Sequence, residues 1–133
     1  MIDFSKLNYL AILVAALSRF AVGALWYGPL FGKAWLKENN LTEEGAKGNP
    51  LVQFGGTFVL SLLASFALAM FLGPAADVIF GLFASAMTGV FFVSTAIGVI
   101  YLFERKSFKL FLINAGYQTV TFIGMGAILG AWK

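Results

Sequence analysis

The sequence contains no cysteine and no histidine, and only 11% of its 133 residues are charged. Without Cys and His the chain cannot form disulfides, thiolate nucleophiles or the usual zinc and haem sites, so we expect no metal and no cofactor. Hydrophobic residues make up 60% of the chain, well above the usual globular range. Because a soluble protein could not bury that much apolar surface, the composition predicts an integral membrane protein.

Four long stretches are almost free of charge, and we predict that each crosses the membrane as a helix. At about 1.5 Å per residue, a stretch of about 21 residues covers roughly 31 Å, which is enough for a hydrocarbon core of about 30 Å. The sequence therefore predicts an all-α, polytopic transmembrane four-helix bundle. It forms one domain, residues 1–133, with spans at about 7–27, 51–72, 78–103 and 110–132 and a loop at 28–50.

Basic residues predict the orientation of the spans. Segments 28–50 and 104–109 hold three Lys or Arg each, whereas the opposite side holds Lys6 and Lys133. This excess predicts that both basic segments lie on the cytoplasmic side of the cell inner membrane and that both termini lie on its outer side. The short segment 73–77 should make the second and third spans antiparallel neighbours, with Asp77 as a helix N-cap.

The net charge of +3 does not indicate nucleic-acid binding, because the basic residues are confined to segments between apolar blocks. Such residues next to a membrane are typical of contacts with the headgroups of anionic lipids. The candidates for such contacts are Lys33, Lys37, Arg105, Lys106 and Lys109.

Aromatic residues at the ends of the spans are typical of an interfacial belt. The predicted anchors are Trp26, Tyr27, Phe31, Trp35 and Trp132. Phe31 and Trp35 are four residues apart, as are Lys33 and Lys37, so the segment after the first span suits a short helix lying at the interface. A gate or a docking helix for a partner is the alternative interpretation of this segment.

Arg19 is the only charged side chain within any predicted span. An arginine near the centre of a membrane helix costs about 2.5–3.5 kcal/mol, so its side chain should face protein or water. Helical side chains lean towards the helix N-terminus, which here points away from the nearer membrane surface, and this disfavours snorkelling. Polar residues at similar depth, together with a polar face on the fourth span, predict a buried polar layer or ligand site made of Arg19, Thr57, Ser61, Thr95, Asn114, Tyr117, Gln118 and Thr121.

Small residues predict where helices approach each other closely. The fourth span contains a GxxxG motif, a ridge of small residues follows the third span, and a glycine lies one turn from Arg19. The predicted packing residues, within one chain or between chains, are Gly23, Gly81, Ser85, Gly89, Gly126 and Gly130.

Two parts of the sequence resemble a known family. They are the end of the first span, GALWYGPLFGKAW at 23–35, and the fourth span, with INAGY at 113–117 and GMGAILGAW at 124–132. As an ordered pair, these motifs resemble the bacterial family called domain of unknown function 1761. The resemblance implies a small multi-span membrane protein of bacteria and implies no activity or cofactor.

Two functions remain open from the sequence. The first is a non-enzymatic homo-oligomer that binds or passes a small polar or anionic solute at Arg19. The second is a structural or regulatory membrane subunit whose polar residues only fix helix packing. An enzyme is not expected, because the spans contain no His, Cys or carboxylate to act as base, nucleophile or metal ligand. A wet cavity at Arg19 would favour the first function, and a dry, fully packed Arg19 would argue against transport.

Overall fold

The computed structural model describes residues 4–132, and this part of the chain is helical, without strands. A short 3₁₀ helix at Phe4–Lys6 is followed by α1 (Tyr9–Leu30), α2 (Gly32–Glu38), α3 (Pro50–Leu72), α4 (Val78–Glu104) and α5 (Phe108–Ala131). By length and composition, α1, α3, α4 and α5 can each cross a membrane. The predicted all-α, four-helix transmembrane architecture is confirmed, and α2 is the predicted short helix. Residues 1–3 and Lys133 lie outside the described part.

Each long helix begins at a side-chain cap. An oxygen of the preceding residue accepts a hydrogen bond from a backbone N–H of the first turn, which satisfies a donor that has no partner within the helix. The caps are Asn8, Asn49, Asp77 and Ser107. Asp77 Oδ1 accepts from the backbone N–H of Phe80 at 2.8 Å, as predicted. Because the caps set where the helices begin, α1, α3 and α5 begin one or two residues away from the predicted starts of their spans.

The end of α1 differs most from the sequence expectation. The predicted first span, at about 7–27, ends before Pro29, whereas α1 continues through Pro29 as a π-type turn at Trp26–Leu30. The backbone N–H of Phe31 donates to the carbonyl of Trp26 at 2.8 Å and closes this wider turn. Gly32 follows at a position where a Cβ would overlap the carbonyl of Tyr27. The chain can therefore pass directly from α1 into α2.

The helices pack in the order α3, α1, α5, α4, so that α1 and α5 lie in the middle. The second and third spans, expected to be antiparallel neighbours, are α3 and α4, and they touch only over a small part of their length. An apolar cleft of about 540 Å³ lies between them, lined by residues that include Phe71, Phe92 and Phe122. The short turn joins the ends of α3 and α4, but α4 packs along α5 because small residues allow a closer approach there.

The contact between α4 and α5 brings two backbones together. A Cβ on Gly126 would overlap Ser85 and the carbonyl of Gly81, and a Cβ on Gly130 would lie 2.5 Å from the carbonyl oxygen of Asp77. Gly89 meets Thr119, whose Cα would lie 2.7 Å from an added Cβ. The small residues predicted to pack on the third and fourth spans thus meet each other within one chain.

The buried apolar core lies where the beginning of α1 meets the ends of α3 and α5. Its members include Ile12, Leu68, Met125 and Leu129, and Ser65 Oγ donates to the carbonyl of Ile12 at 2.9 Å. Elsewhere large apolar side chains face outwards; Phe71 and Phe103 are at least 80% exposed. Such an exposed apolar surface suits lipid contact and would be costly in water.

Replacing Gly126 by alanine should destabilise the bundle, because the added methyl group overlaps the backbone and Ser85 of α4. We expect a loss of about 1–3 kcal/mol in the free energy of unfolding, the usual cost of overpacking. The matched control is Gly124→Ala on the same helix, where no atom lies within 4 Å of an added Cβ. That change should be neutral or stabilising by up to about 1 kcal/mol. Unfolding in mixed detergent micelles measures both, and equal effects would contradict the close contact.

Candidate functional site

Arg19 is buried between α1 and α5, with only 9% of its surface exposed. Its Nη1 donates a hydrogen bond to Gln118 Oε1 at 2.9 Å. Its Cζ lies 5.6 Å from the ring centre of Tyr117 and 6.0 Å from that of Phe122. A cation over an aromatic face gains about 0.5–2 kcal/mol when water is excluded. We call Arg19, Tyr117, Gln118 and Phe122 the Arg19 cluster.

Helix spacing explains how α5 supplies three partners for one cation. Gln118 and Phe122 are four residues apart and share a face, and Tyr117 lies beside them. On α1, Gly23 lies one turn beyond Arg19, and a Cβ there would lie 3.3 Å from the hydroxyl of Tyr117. The absence of a side chain at Gly23 thus leaves room for the Tyr117 ring to reach the guanidinium.

Among residues 4–132, no carboxylate neutralises the Arg19 charge. All six acidic residues of the sequence lie outside the predicted spans, and Arg19 makes no ion pair with any residue in 4–132. Its Nε is buried and finds no hydrogen-bond acceptor in the described part of the chain. The cation is therefore stabilised by one amide oxygen and two ring faces, and its buried Nε–H is left without an acceptor among residues 4–132.

A second polar group connects three helices near the end of α1. The hydroxyl of Tyr27 donates to Asn114 Oδ1, and Asn114 Nδ2 donates to the hydroxyl of Tyr101 at 2.6 Å. The ring of Tyr27 meets that of Tyr117 edge to face, with centroids 5.0 Å apart. Contacts therefore run without a break from Tyr101 on α4 through α5 and α1 to Arg19.

The predicted polar layer is smaller than the sequence suggested. Asn114, Tyr117 and Gln118 face α1, but Thr57 and Thr95 do not reach Arg19. Their hydroxyls donate to carbonyls of their own helices, Thr57 to Gln53 and Thr95 to Phe91. Because a threonine can satisfy itself in this way, a similar depth does not imply a shared site.

Two further members of the predicted layer are fully buried without joining it. The hydroxyls of Ser61 and Thr121 have no hydrogen-bond partner among residues 4–132. Ser85, a predicted packing residue, contacts Gly126, and its hydroxyl is also buried without a hydrogen-bond partner among residues 4–132. The described residues also contain no group of three or more His, Cys, Asp or Glu that could hold a metal ion.

Trp26 and Tyr27, two of the predicted interfacial anchors, also contact the neighbouring helix α5. The indole Nε1 of Trp26 donates to the carbonyl of Ile113 at 2.7 Å. Its ring covers Gly116, where an added Cβ would lie 2.9 Å from Trp26 Cζ2. Both side chains are thus part of the contact between α1 and α5, since Gly116 leaves a space on α5 for the indole of Trp26 and Asn114 accepts from Tyr27.

The other predicted anchors differ in their surroundings. The rings of Phe31 and Trp26 are 4.8 Å apart, and Trp35 meets Tyr27 edge to face at 6.1 Å. Phe31 and Trp35 thus extend the aromatic group at the end of α1. Trp132 lies at the opposite end of the bundle and is 40% exposed, and its carbonyl accepts from Asn8 Nδ2 at 3.2 Å.

Three large grooves lie on the described surface, and Arg19 lines none of them. One of about 590 Å³ lies between Tyr27, α2 and the following loop. Another, of about 840 Å³, lies between α4 and α5, and the third is the cleft between α3 and α4. Phe122 lines that cleft and also faces Arg19, so its ring lies between the cleft and the guanidinium.

The motifs at the two ends of the chain agree with a comparison of the whole sequence. The model of the family described as "Protein of unknown function (DUF1761)" matches residues 10–130. The chain therefore belongs to this family, which confirms the resemblance found from its motifs. No curated protein and no solved structure matches the chain.

The hydrogen bond between Arg19 and Gln118 should appear as coupling between the two positions. We expect Arg19→Met and Gln118→Leu each to lower the free energy of unfolding by about 2 kcal/mol, since the bond involves a charged donor. The double variant should lose less free energy of unfolding than the two single variants together, and the difference, the coupling energy, should be at least about 1 kcal/mol. As a control, the losses in free energy of unfolding caused by Arg19→Met and Thr57→Val should be additive to within about 0.5 kcal/mol. Additive losses at Arg19 and Gln118 would refute the contact.

Trp26→Phe should test whether this indole belongs to the helix contact. The variant loses the hydrogen bond to the Ile113 carbonyl and part of the packing on Gly116. Its free energy of unfolding should therefore fall by about 1–2 kcal/mol. Trp132→Phe is the matched control and should change stability by no more than about 0.5 kcal/mol. Thermal unfolding in one detergent compares them, and the opposite ranking would contradict a stabilising role of the Trp26 indole between α1 and α5.

Proposed function

We propose that this member of the DUF1761 family is a non-enzymatic membrane protein with a structural or regulatory role, in which Arg19 fixes the packing of α1 against α5. The observation that carries the proposal is the bond from Arg19 to Gln118 beneath two aromatic faces. A guanidinium held in this way acts as a cross-link between helices. Solute passage has less support, because three large grooves on the described surface are lined by residues other than Arg19.

The orientation in the inner membrane belongs to the same proposal, with both termini outside and both basic segments in the cytoplasm. Ser107 Oγ donates to Glu38 Oε1 at 2.6 Å, so the end of α2 and the segment that follows α4 meet at one end of the bundle. Their basic residues are exposed there, at Lys33, Lys37, Arg105, Lys106 and Lys109. A basic end of this kind suits contact with an anionic membrane surface or an acidic partner and supplies the regulatory part of the role.

The second candidate function is the binding of a small anionic or polar solute at Arg19 in a homo-oligomer. It is favoured by the unpartnered Nε and by the lack of a carboxylate beside the charge. An anion could supply the missing acceptor. Phe122 would then have to move, because its ring lies between the cleft and the guanidinium.

Thermal unfolding in the presence of small anions distinguishes the two functions, since a ligand that binds only the folded state raises the Tm. For the structural role we expect no shift with chloride, phosphate or acetate, and we expect Arg19→Lys to lose about as much stability as Arg19→Met. A lysine keeps the charge but lacks the planar group that can stack on two rings.

The solute-binding function predicts the opposite pattern. An anion would raise the Tm of the wild type and of Arg19→Lys but not of Arg19→Met, and Phe122→Ala would strengthen the shift by opening the cleft. Flux of the same anion into proteoliposomes, abolished by Arg19→Met, would establish passage and overturn the structural role.

A further inference from the structure

We propose that the groove between α4 and α5 binds one acyl chain of an anionic phospholipid, with the lipid phosphate at Lys106. The inference rests on the proposed function and deepens it, because it names the lipid class that the basic end of the bundle recognises.

The groove exists because α4 and α5 diverge. Near Gly81 and Gly126 the two backbones touch, but past the π-type turn at Thr88–Val93 the second half of α4 packs only loosely on α5. Ser94 Oγ donates to the carbonyl of Gly89 at 2.7 Å across this turn and fixes the change of direction. The space that opens has a volume of about 840 Å³.

The dimensions of the groove suit one lipid chain in one leaflet. On α5 its lining extends from Phe108 to Val120, a distance of about 18 Å at 1.5 Å per residue. Half of a hydrocarbon core of about 30 Å is about 15 Å. Small residues, among them Gly98 and Ala115, belong to its lining and leave space between larger apolar side chains such as Phe111 and Leu112.

The polar side chains that line the deeper part of the groove already have hydrogen-bond partners, and Thr119 Oγ1 lies 3.3 Å from Ser94 Oγ. In the deeper part the hydroxyls of Ser94 and Thr95 already donate to backbone carbonyls, so they offer little to a polar ligand. At the other end lie Lys106 and Ser107, and the exposed segment 104–109 carries three basic residues against one carboxylate, Glu104. An apolar channel with a cation at its end is complementary to an anionic headgroup on an acyl chain.

This charge complementarity favours a lipid over a second copy of the chain. A partner helix lying in the groove would have to bring an apolar segment against Lys106, whereas a phospholipid places its phosphate there and its chain below. A second copy is therefore a distinct outcome of the test.

Native mass spectrometry of the purified protein, titrated with phosphatidylglycerol or phosphatidylcholine in one detergent, tests the inference. We expect one phosphatidylglycerol to bind in preference to phosphatidylcholine. Lys106→Gln should weaken it about fivefold, the effect of removing one lysine beside an anionic surface. The matched control is Lys47→Gln, an exposed lysine that does not line the groove, and it should leave binding unchanged. Equal binding of both lipids, or equal effects of the two variants, would overturn the inference.

Gly98→Leu provides a second, independent test because its side chain fills part of the groove. Binding of phosphatidylglycerol should be lost while the helix content measured by circular dichroism is retained. If light scattering instead shows that this variant dissociates a dimer with lipid binding unchanged, the groove is an interface between copies and the lipid inference fails. Coupling between Arg19 and Gln118, measured in the Lys106→Gln background, shows separately whether the proposed structural role survives.

Discussion

The structure depends on how one buried cation is satisfied without a buried anion. A guanidinium within the bundle must find acceptors or ring faces, because an unsatisfied charge in a low-dielectric interior costs several kcal/mol. Here α5 supplies one amide oxygen, from Gln118, and two ring faces, from Tyr117 and Phe122, and the Nε–H stays without an acceptor among residues 4–132. The arrangement fixes the rotation of α1 and α5 about their axes, since turning either helix by one residue would separate these groups.

The composition of α5 follows from its central position. One side meets the cation and the indole of α1, and the other side meets the backbone of α4 through Gly126 and Gly130. A helix with protein on two sides needs polar and small residues, and α5 is the least hydrophobic of the four long helices. The outer helices can be more apolar because much of their surface is left for lipid.

Part of this arrangement could be predicted from the sequence, because the thickness and apolar interior of a membrane restrict the length and composition of the helices that cross it. Charge-poor stretches predict the spans, depth along a helix predicts that Gln118 lies level with Arg19, and glycine spacing predicts the contact of α4 with α5. Depth along a helix does not say which way a side chain points around the helix axis, so two residues at the same depth can face different neighbours. Thr57 and Thr95 therefore turned out to bond their own helices, and Trp26 entered a space that a glycine of another helix provides. The π-type turns, which redirect α1 and α4, left no signal in the hydrophobic pattern.

The most direct test of the central claim uses the fact that the sequence has two arginines, Arg19 and Arg105. With ¹⁵N-arginine in lipid nanodiscs, NMR should resolve two Nε–H signals. One, from the exposed Arg105, should exchange rapidly with deuterated water. The other, from Arg19, should exchange slowly, should be shifted by the neighbouring rings, and should move when Tyr117 is replaced by leucine. Rapid exchange of both signals would place Arg19 in contact with water and would contradict a dry cross-link between α1 and α5.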